Sequence, residues 1–273
     1  MNASNASSSA LKKEQNLKRI ISEYSSLAVA YSGGVDSTYL ASVANEVLGS
    51  KAMMIIADSP SIPRSELEAA KKIALERNWN LLVINTFEHL DEKYQENSGD
   101  RCYYCKNELF KEMEKWCSQN NIASMAYGAI IDDLGDHRPG SKAAGEHKVL
   151  APLQDAELSK GEIRQLSLLR NLPTSSKASF ACLASRLPVG ENVTVKKLSQ
   201  IEMAEELIKK LDFKQYRARH HGELCRIEVG QNEIEKLLSS ERRDWLLNEI
   251  KKLGYKYVTL DLSGYRTGST NGL

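Results

Sequence analysis

Three groups of residues in this sequence have types and spacings that could carry chemistry. The first is Ser32-Gly33-Gly34-Val35-Asp36-Ser37-Thr38, which follows the apolar run Leu27–Ala30. Glycines let a backbone approach closely, and unpaired N–H groups at a helix start point at negative charge. Strand, Gly-Gly loop and helix together therefore cradle an anion. Ser32, Ser37 and Thr38 add hydroxyl donors. Asp36 suits a divalent cation bridging phosphates, since hard cations prefer carboxylate and phosphate oxygens; it could also simply cap the helix. No G-x-x-x-x-G-K-[ST] pattern is present, so this is not the lysine-bearing phosphate loop.

The second group is Cys102-Tyr103-Tyr104-Cys105, directly before a helical pattern. This C-x-x-C reads as a zinc knuckle, a redox dithiol, iron–sulfur ligands or plain core cysteines. A structural zinc site would want a second matching pair, and the remaining cysteines, Cys117, Cys182 and Cys225, do not form one. Cys102, Cys105 and the distant Cys182 could together hold three irons of a [4Fe–4S] cluster. Cys117 and Cys225 read as small buried apolar residues.

The third group is basic. Ser185-Arg186 lies beside a Pro/Gly turn, and Arg217 and Arg219 are two apart in a strand pattern. That period puts both guanidinium groups on one face, able to clamp a carboxylate or phosphate; surface salt bridges are the plainer alternative. Glu205 and Glu228 read from periodicity alone as solvated charges. A polar loop from Gly128 to Gly140 carries Asp132, Asp133, Asp136 and Arg138. It either orients a nucleotide or is a solvated acidic turn.

The elements that must position these groups alternate. Strand patterns at Leu27–Tyr31, Ala52–Ala57, Asn80–Ile84 and Ala123–Gly128 are separated by helical patterns at Thr38–Leu48, Arg64–Arg77 and Lys106–Asn120, with another helix at Leu11–Tyr24. Such alternation predicts an α/β fold, a parallel sheet with helices on both faces, with ligands at the carboxyl ends of the strands. Ser32–Thr38, Asp58 and Gly128 fall on that rim. The texture changes after Gly190. A long helical pattern, Val193–Leu211, is followed by strands around Gln215–Arg219 and Cys225–Val229, two helical patterns and a strand at Tyr257–Leu262. We read residues 1–10 as a disordered tail, 11–190 as the α/β domain and 191–273 as a smaller α+β domain.

Composition excludes several classes. The 273 residues carry 37 Lys+Arg against 36 Asp+Glu, a net charge of +1, so no global field recruits nucleic acid or anionic lipid. No apolar run reaches membrane-spanning length, and the polar opening lacks a signal-peptide core. Five cysteines, an odd number in a long chain, do not resemble a disulfide framework. A cytoplasmic protein is expected.

Ser-Gly-Gly-Val-Asp-Ser resembles the PP-loop of ATP pyrophosphatases, which cleave ATP between the α- and β-phosphates. Ser32–Thr38, Asp100–Lys106, Asp132–Gly140, Ala181–Arg186, Arg217–Arg219 and Leu260–Arg266 together resemble the LarE family of ATP-dependent sulfur transferases. The resemblance runs from about Leu11 to Asn271. It implies a Rossmann-like PP-loop domain that binds ATP through Ser32, Gly33, Gly34, Val35, Asp36, Ser37, Thr38, Asp58 and Gly128. It further implies that a carboxylate of pyridinium-3,5-biscarboxylic acid mononucleotide is adenylated with release of pyrophosphate. Sulfur then displaces AMP to give a thiocarboxylate of the nickel-pincer nucleotide cofactor. By the same resemblance Asp36 holds Mg²⁺, Ser185, Arg186, Arg217 and Arg219 bind substrate, and Cys182, Glu205 and Glu228 join the catalytic set. One branch of the family sacrifices a cysteine; another holds a [4Fe–4S] cluster on three. Cys102, Cys105 and Cys182 match the second branch, and Ala181 stands where the sacrificial cysteine would be. A homo-oligomer is expected, and the sulfide donor is not indicated. The rivals are a tRNA thiolation enzyme, which near-neutral charge argues against, an amidotransferase-like ligase, and an AMP-sensing protein.

Overall fold

The computed structural model describes residues 7–134, 139–178 and 181–266. Asp136 and Arg138 of the acidic loop lie outside them. In chain order the elements are α1 (Ser8–Ser22), β1 (Leu27–Ala30), α2 (Val35–Leu48), β2 (Ala52–Asp58), α3 (Arg64–Glu76), β3 (Leu81–Asn85), α4 (Glu92–Glu96), α5 (Arg101–Gln119), β4 (Ser124–Tyr127), α6 (Pro139–Glu146), α7 (Pro152–Asp155), α8 (Lys160–Leu169), α9 (Val195–Lys209), β5 (Tyr216–His221), β6 (Leu224–Val229), α10 (Ile234–Leu238), α11 (Ser240–Lys252) and β7 (Tyr257–Leu260). Among the described residues no helix is long and apolar enough to cross a membrane. One expectation changes at the start. Ser8–Ala10 are helical instead of tail, because the Ser7 hydroxyl caps α1 by accepting from the Ala10 amide at 3.1 Å.

The chain divides into two compact units, neither contiguous in sequence. The first comprises Met1–Ser59, Arg64–Glu88 and Cys102–Phe180. Its sheet is all parallel in the order β3-β2-β1-β4, the Rossmann-like α/β arrangement expected from the alternation. β1 is central, and all four of its residues are buried, as an interior parallel strand requires. The strand order reverses between β1 and β4, and a doubly wound sheet opens a crevice at the carboxyl ends there. Ala28, Ala30, Ile55, Phe110, Met113 and Met125 are in the core that holds the sheet.

The second unit joins Pro60–Pro63 and His89–Arg101 to Ala181–Leu273. Its sheet has the order β5-β6-β7, with β5 antiparallel and β7 parallel to β6. Ala218, Cys225, Ile227 and Val229 of the sheet pack with Ala204, Ile208, Leu246 and Ile250 of α9 and α11. Asn97 follows α4 in the left-handed region, at φ +53°, and is 1% exposed. Its amide donates to the carbonyls of Pro188 and Glu191 at 2.7 and 3.2 Å. Its own carbonyl accepts from the Gly190 amide at 3.0 Å. The Pro/Gly turn is thus clasped by a segment about ninety residues upstream.

Candidate active site

In the first unit, the loop Ser32–Gly34 leaves β1 at the crevice. Gly33 has φ +68°, and a Cβ there would lie 2.6 Å from the Ala70 Cβ, so only glycine makes the turn. Gly34 caps α2 without a side-chain hydrogen bond, leaving the first-turn amides available to a ligand. The Ser37 hydroxyl accepts from the Ser32 amide at 3.1 Å and lies 2.9 Å from the Ser32 hydroxyl. Gly128, after β4, approaches the same turn; a Cβ on it would sit 2.9 Å from the Ser37 nitrogen. Asp58 ends β2 and pairs with Arg64.

Asp36 projects from the first turn of α2. Its Oδ2 accepts from Lys160 Nζ at 2.6 Å. Its Oδ1 is buried and has no hydrogen-bond partner among the described residues, so the carboxylate fits a hard cation. Lys177 donates to the Gly33 carbonyl at 3.0 Å and pairs with Glu66. Sequence reasoning missed both lysines. The one legible signal was Ser159-Lys160-Gly161-Glu162, a capping box that fixes the start of α8. Asp132 and Asp133 have local duties: Asp132 Oδ2 accepts from the Lys160 amide at 2.9 Å, and Asp133 Oδ2 from the Ile130 amide at 3.0 Å.

In the second unit, Cys182 precedes a short 3-10 turn, Leu183–Arg186. The Ser185 hydroxyl donates to the Cys182 carbonyl at 2.8 Å. Arg186, 1% exposed, forms a two-pronged pair with Glu205, Nε to Oε1 at 2.9 Å and Nη2 to Oε2 at 3.0 Å. Its Nη1 donates to the carbonyls of Ala181 and Cys182 and lies 3.0 Å from the Ser185 hydroxyl. Arg186 therefore holds the Cys182 turn in place. Arg219 grips Glu228 in the same two-pronged way, at 3.1 and 3.0 Å, and its Nη1 reaches the Ser185 carbonyl at 3.0 Å. Glu228 is fully buried and Glu205 is 9% exposed, so neither is a solvated charge. On the face of β5 opposite Ala218, Arg219 is therefore buried with its charge paired, while Arg217 and His221 are half-buried.

Arg217 differs. Its guanidinium lies over the Tyr265 ring at 5.0 Å, a cation–π contact, and its Nη1 donates to the Tyr216 carbonyl at 2.7 Å. Burial, then the neighbouring Arg186 charge, lowers its pKa. Gly264 sets the tyrosine in place: at φ +66°, a Cβ on it would lie 2.9 Å from the Val229 carbonyl, the same carbonyl that accepts from the Tyr265 amide at 2.7 Å.

The cysteines sort by access. Cys102 is exposed, Cys105 and Cys182 are half-buried, and Cys117 and Cys225 are buried. Burial pushes the Cys117 thiol up to about 11 and the Cys225 thiol up to about 12, which removes both as thiolate donors. Cys102 and Cys105 are on the first turns of α5 in the first unit, and Cys182 belongs to the second. Among the described residues no three His, Cys, Asp or Glu side chains are gathered as a metal site.

No protein-family model matches the chain. A curated protein of Lactiplantibacillus plantarum, pyridinium-3,5-bisthiocarboxylic acid mononucleotide synthase, is 31% identical over 261 residues, 95% of this chain and 94% of the relative. The chain belongs to the LarE family. Two uncharacterised proteins align as completely. One, from Synechocystis sp., is 38% identical over 95% of this chain and 97% of its own. The other, from Methanocaldococcus jannaschii, is 27% identical over 94% and 97%. Within this LarE-family chain the likeness extends over both units, so it covers the Gly-Gly loop and the paired arginines alike.

Proposed function

We propose that this LarE-family chain is an ATP-dependent sulfur transferase. It adenylates a carboxylate of pyridinium-3,5-biscarboxylic acid mononucleotide and exchanges the adenylate for sulfur, in nickel-pincer nucleotide biosynthesis in the cytoplasm. The observation that carries the reading is the near end-to-end likeness to the L. plantarum synthase, and the anion cradle at the β1–α2 turn supports its first step.

A carboxylate is a poor electrophile, so an oxygen of it first attacks the α-phosphorus of ATP and pyrophosphate leaves. The α2 amides and the Ser32, Ser37 and Thr38 hydroxyls would take phosphate oxygens, with Mg²⁺ on Asp36 offsetting their charge. A sulfur nucleophile then attacks the acyl carbon, and AMP departs with the bonding electron pair. Thiolate-type sulfur needs no strong base at neutral pH. Arg217 is suited to the substrate's anionic groups or the tetrahedral intermediate. Arg186 and Arg219, with Glu205 and Glu228, keep the Cys182 turn fixed. Cys102, Cys105 and Cys182 would be the ligands of a [4Fe–4S] cluster, which when bound supplies an exchangeable sulfide.

The test is incubation of the protein with Mg²⁺, ATP and the biscarboxylate mononucleotide. Equal amounts of pyrophosphate and AMP should appear with a thiocarboxylate product. Absence of pyrophosphate with this acceptor would overturn the reading.

A further inference from the structure

The peptide between Gly33 and Gly34 has no Cβ at either end to oppose its rotation, so sterics alone leave its amide free to face either side of the loop. Only one side is of use to an anion. We propose that Lys177 is a positioning residue: it holds the Gly33 carbonyl and so aims the Gly34 N–H into the cradle, without itself touching the phosphates. This rests on the ATP-cleaving reading of the loop and deepens it.

The geometry is that of a restraint applied from behind. Lys177 Nζ donates to the Gly33 carbonyl at 3.0 Å. In a planar trans peptide, fixing the C=O one way fixes the N–H the opposite way. The Gly34 N–H accordingly faces the Ser32 hydroxyl, 3.4 Å away, on the side where the Ser32 and Ser37 hydroxyls meet at 2.9 Å. A contact that long barely engages the donor, so the N–H stays open to a ligand. The ammonium, by contrast, is already matched in charge, with Glu66 Oε2 at 2.5 Å. Glu66 is one turn before Ala70 on α3, and Ala70 is the residue that would meet any Cβ on Gly33. One face of α3 therefore shapes the turn and seats the lysine that orients it. The lysine's own backbone is held as well. Its amide donates to the Thr174 carbonyl at 3.0 Å, and Arg164 of α8 donates to the carbonyls of Ser175 and Lys177 at 2.7 and 2.8 Å. With both ends of the side chain tied, Lys177 acts on the loop and not on its ligand.

The experiment uses the full chain labelled with ¹⁵N-glycine, its Lys177→Met/Glu66→Leu double variant, which removes the pair without changing net charge, and Lys177→Arg. Binding of Mg²⁺-ATP is measured by calorimetry at several salt concentrations, glycine amides are followed by NMR, and melting temperature is recorded for each protein. In wild type we expect one Gly34 signal that shifts when Mg²⁺-ATP is added. In the double variant that signal should split or broaden before ligand is present. Affinity should fall about tenfold, as for the loss of one charge-assisted hydrogen bond. Lys177→Arg keeps a donor for the carbonyl and should recover most of both. Salt should weaken binding equally steeply in all three proteins, because no charge contact to phosphate is lost. Unchanged affinity in the double variant overturns the proposal. So does a shallower salt dependence, which marks a direct charge contact, or a lower melting temperature with the Gly34 signal intact, which marks a merely structural role. Wild-type protein that binds no Mg²⁺-ATP removes the ATP-cleaving reading itself, and the proposal with it.

Discussion

Arg217 and Glu228 stand directly opposite each other across β5 and β6, yet Glu228 gives its two-pronged ion pair to Arg219, two residues along. The register would permit either partner. The diagonal choice leaves Arg217 stacked on Tyr265, while Arg219 is locked between Glu228 and the Ser185 carbonyl.

The two arginines should therefore separate in mutagenesis. Arg219→Ala removes the two-pronged partner of a fully buried glutamate, leaving it the contact from Arg226 at 3.2 Å, and should cost about 3 kcal/mol, because a poorly compensated buried charge is expensive. Arg217→Ala should cost about 1 kcal/mol in stability while lowering thiocarboxylate formation at least about tenfold. Chemical denaturation beside turnover assays distinguishes them; equal destabilisation would refute the division of labour.

Gly128→Ala puts a methyl carbon 2.9 Å from the Ser37 nitrogen. Backbone cannot yield as a flexible side chain can, so α2 must shift. We expect a stability loss of about 1–3 kcal/mol and weaker ATP binding, read by calorimetry. Gly145→Ala, with nothing near its Cβ, is the neutral control.

Thiol access gives a third prediction. At pH 8, iodoacetamide should modify Cys102 first and Cys105 and Cys182 more slowly. Cys117 and Cys225, with pKa values raised to about 11 and about 12 by burial, should react only after denaturation. Peptide mass spectrometry reads the order, and early labelling of Cys225 would contradict its burial.

If Cys102, Cys105 and Cys182 share a cluster, anaerobically purified protein should be brown and hold about four irons per chain. Single alanine variants at these positions should lose both iron and sulfur transfer. A colourless Cys102→Ala/Cys105→Ala protein with full activity would exclude the cluster.

Acid should destabilise the second unit before most carboxylates titrate. Burial, with nearby Lys197 at His220 and nearby Arg226 at His221, lowers both imidazole pKa values. The unfolded chain then binds protons first, so stability is full above about pH 6.5 and falls as pH drops through the lowered folded values. Melting temperature measured between pH 7.5 and 5.5 should decline, and less steeply in His221→Gln. A flat profile would show that neither histidine is linked to folding.

What was legible in the sequence was what is local. The anion loop is a seven-residue word, and its strand and helix flank it directly, so fold and motif announce each other. Arg217 and Arg219 share a face by period alone, but nothing in that period told which of them Glu228 would hold. That depended on pairing register, and so did the burial that turned apparent surface charges into interior ones. Lys160 was out of reach altogether, because it is 124 residues from Asp36 and its own surroundings look like an ordinary helix start.

The clasp of Asn97 on Pro188 and Glu191 bears on how such a chain can change over evolutionary time. A unit assembled from three separate stretches cannot be lifted out as a cassette and fused elsewhere, since a gene cut near residue 190 parts the turn from the asparagine that shapes it. Recombination of whole modules, a common route to new enzymes, is closed at this seam.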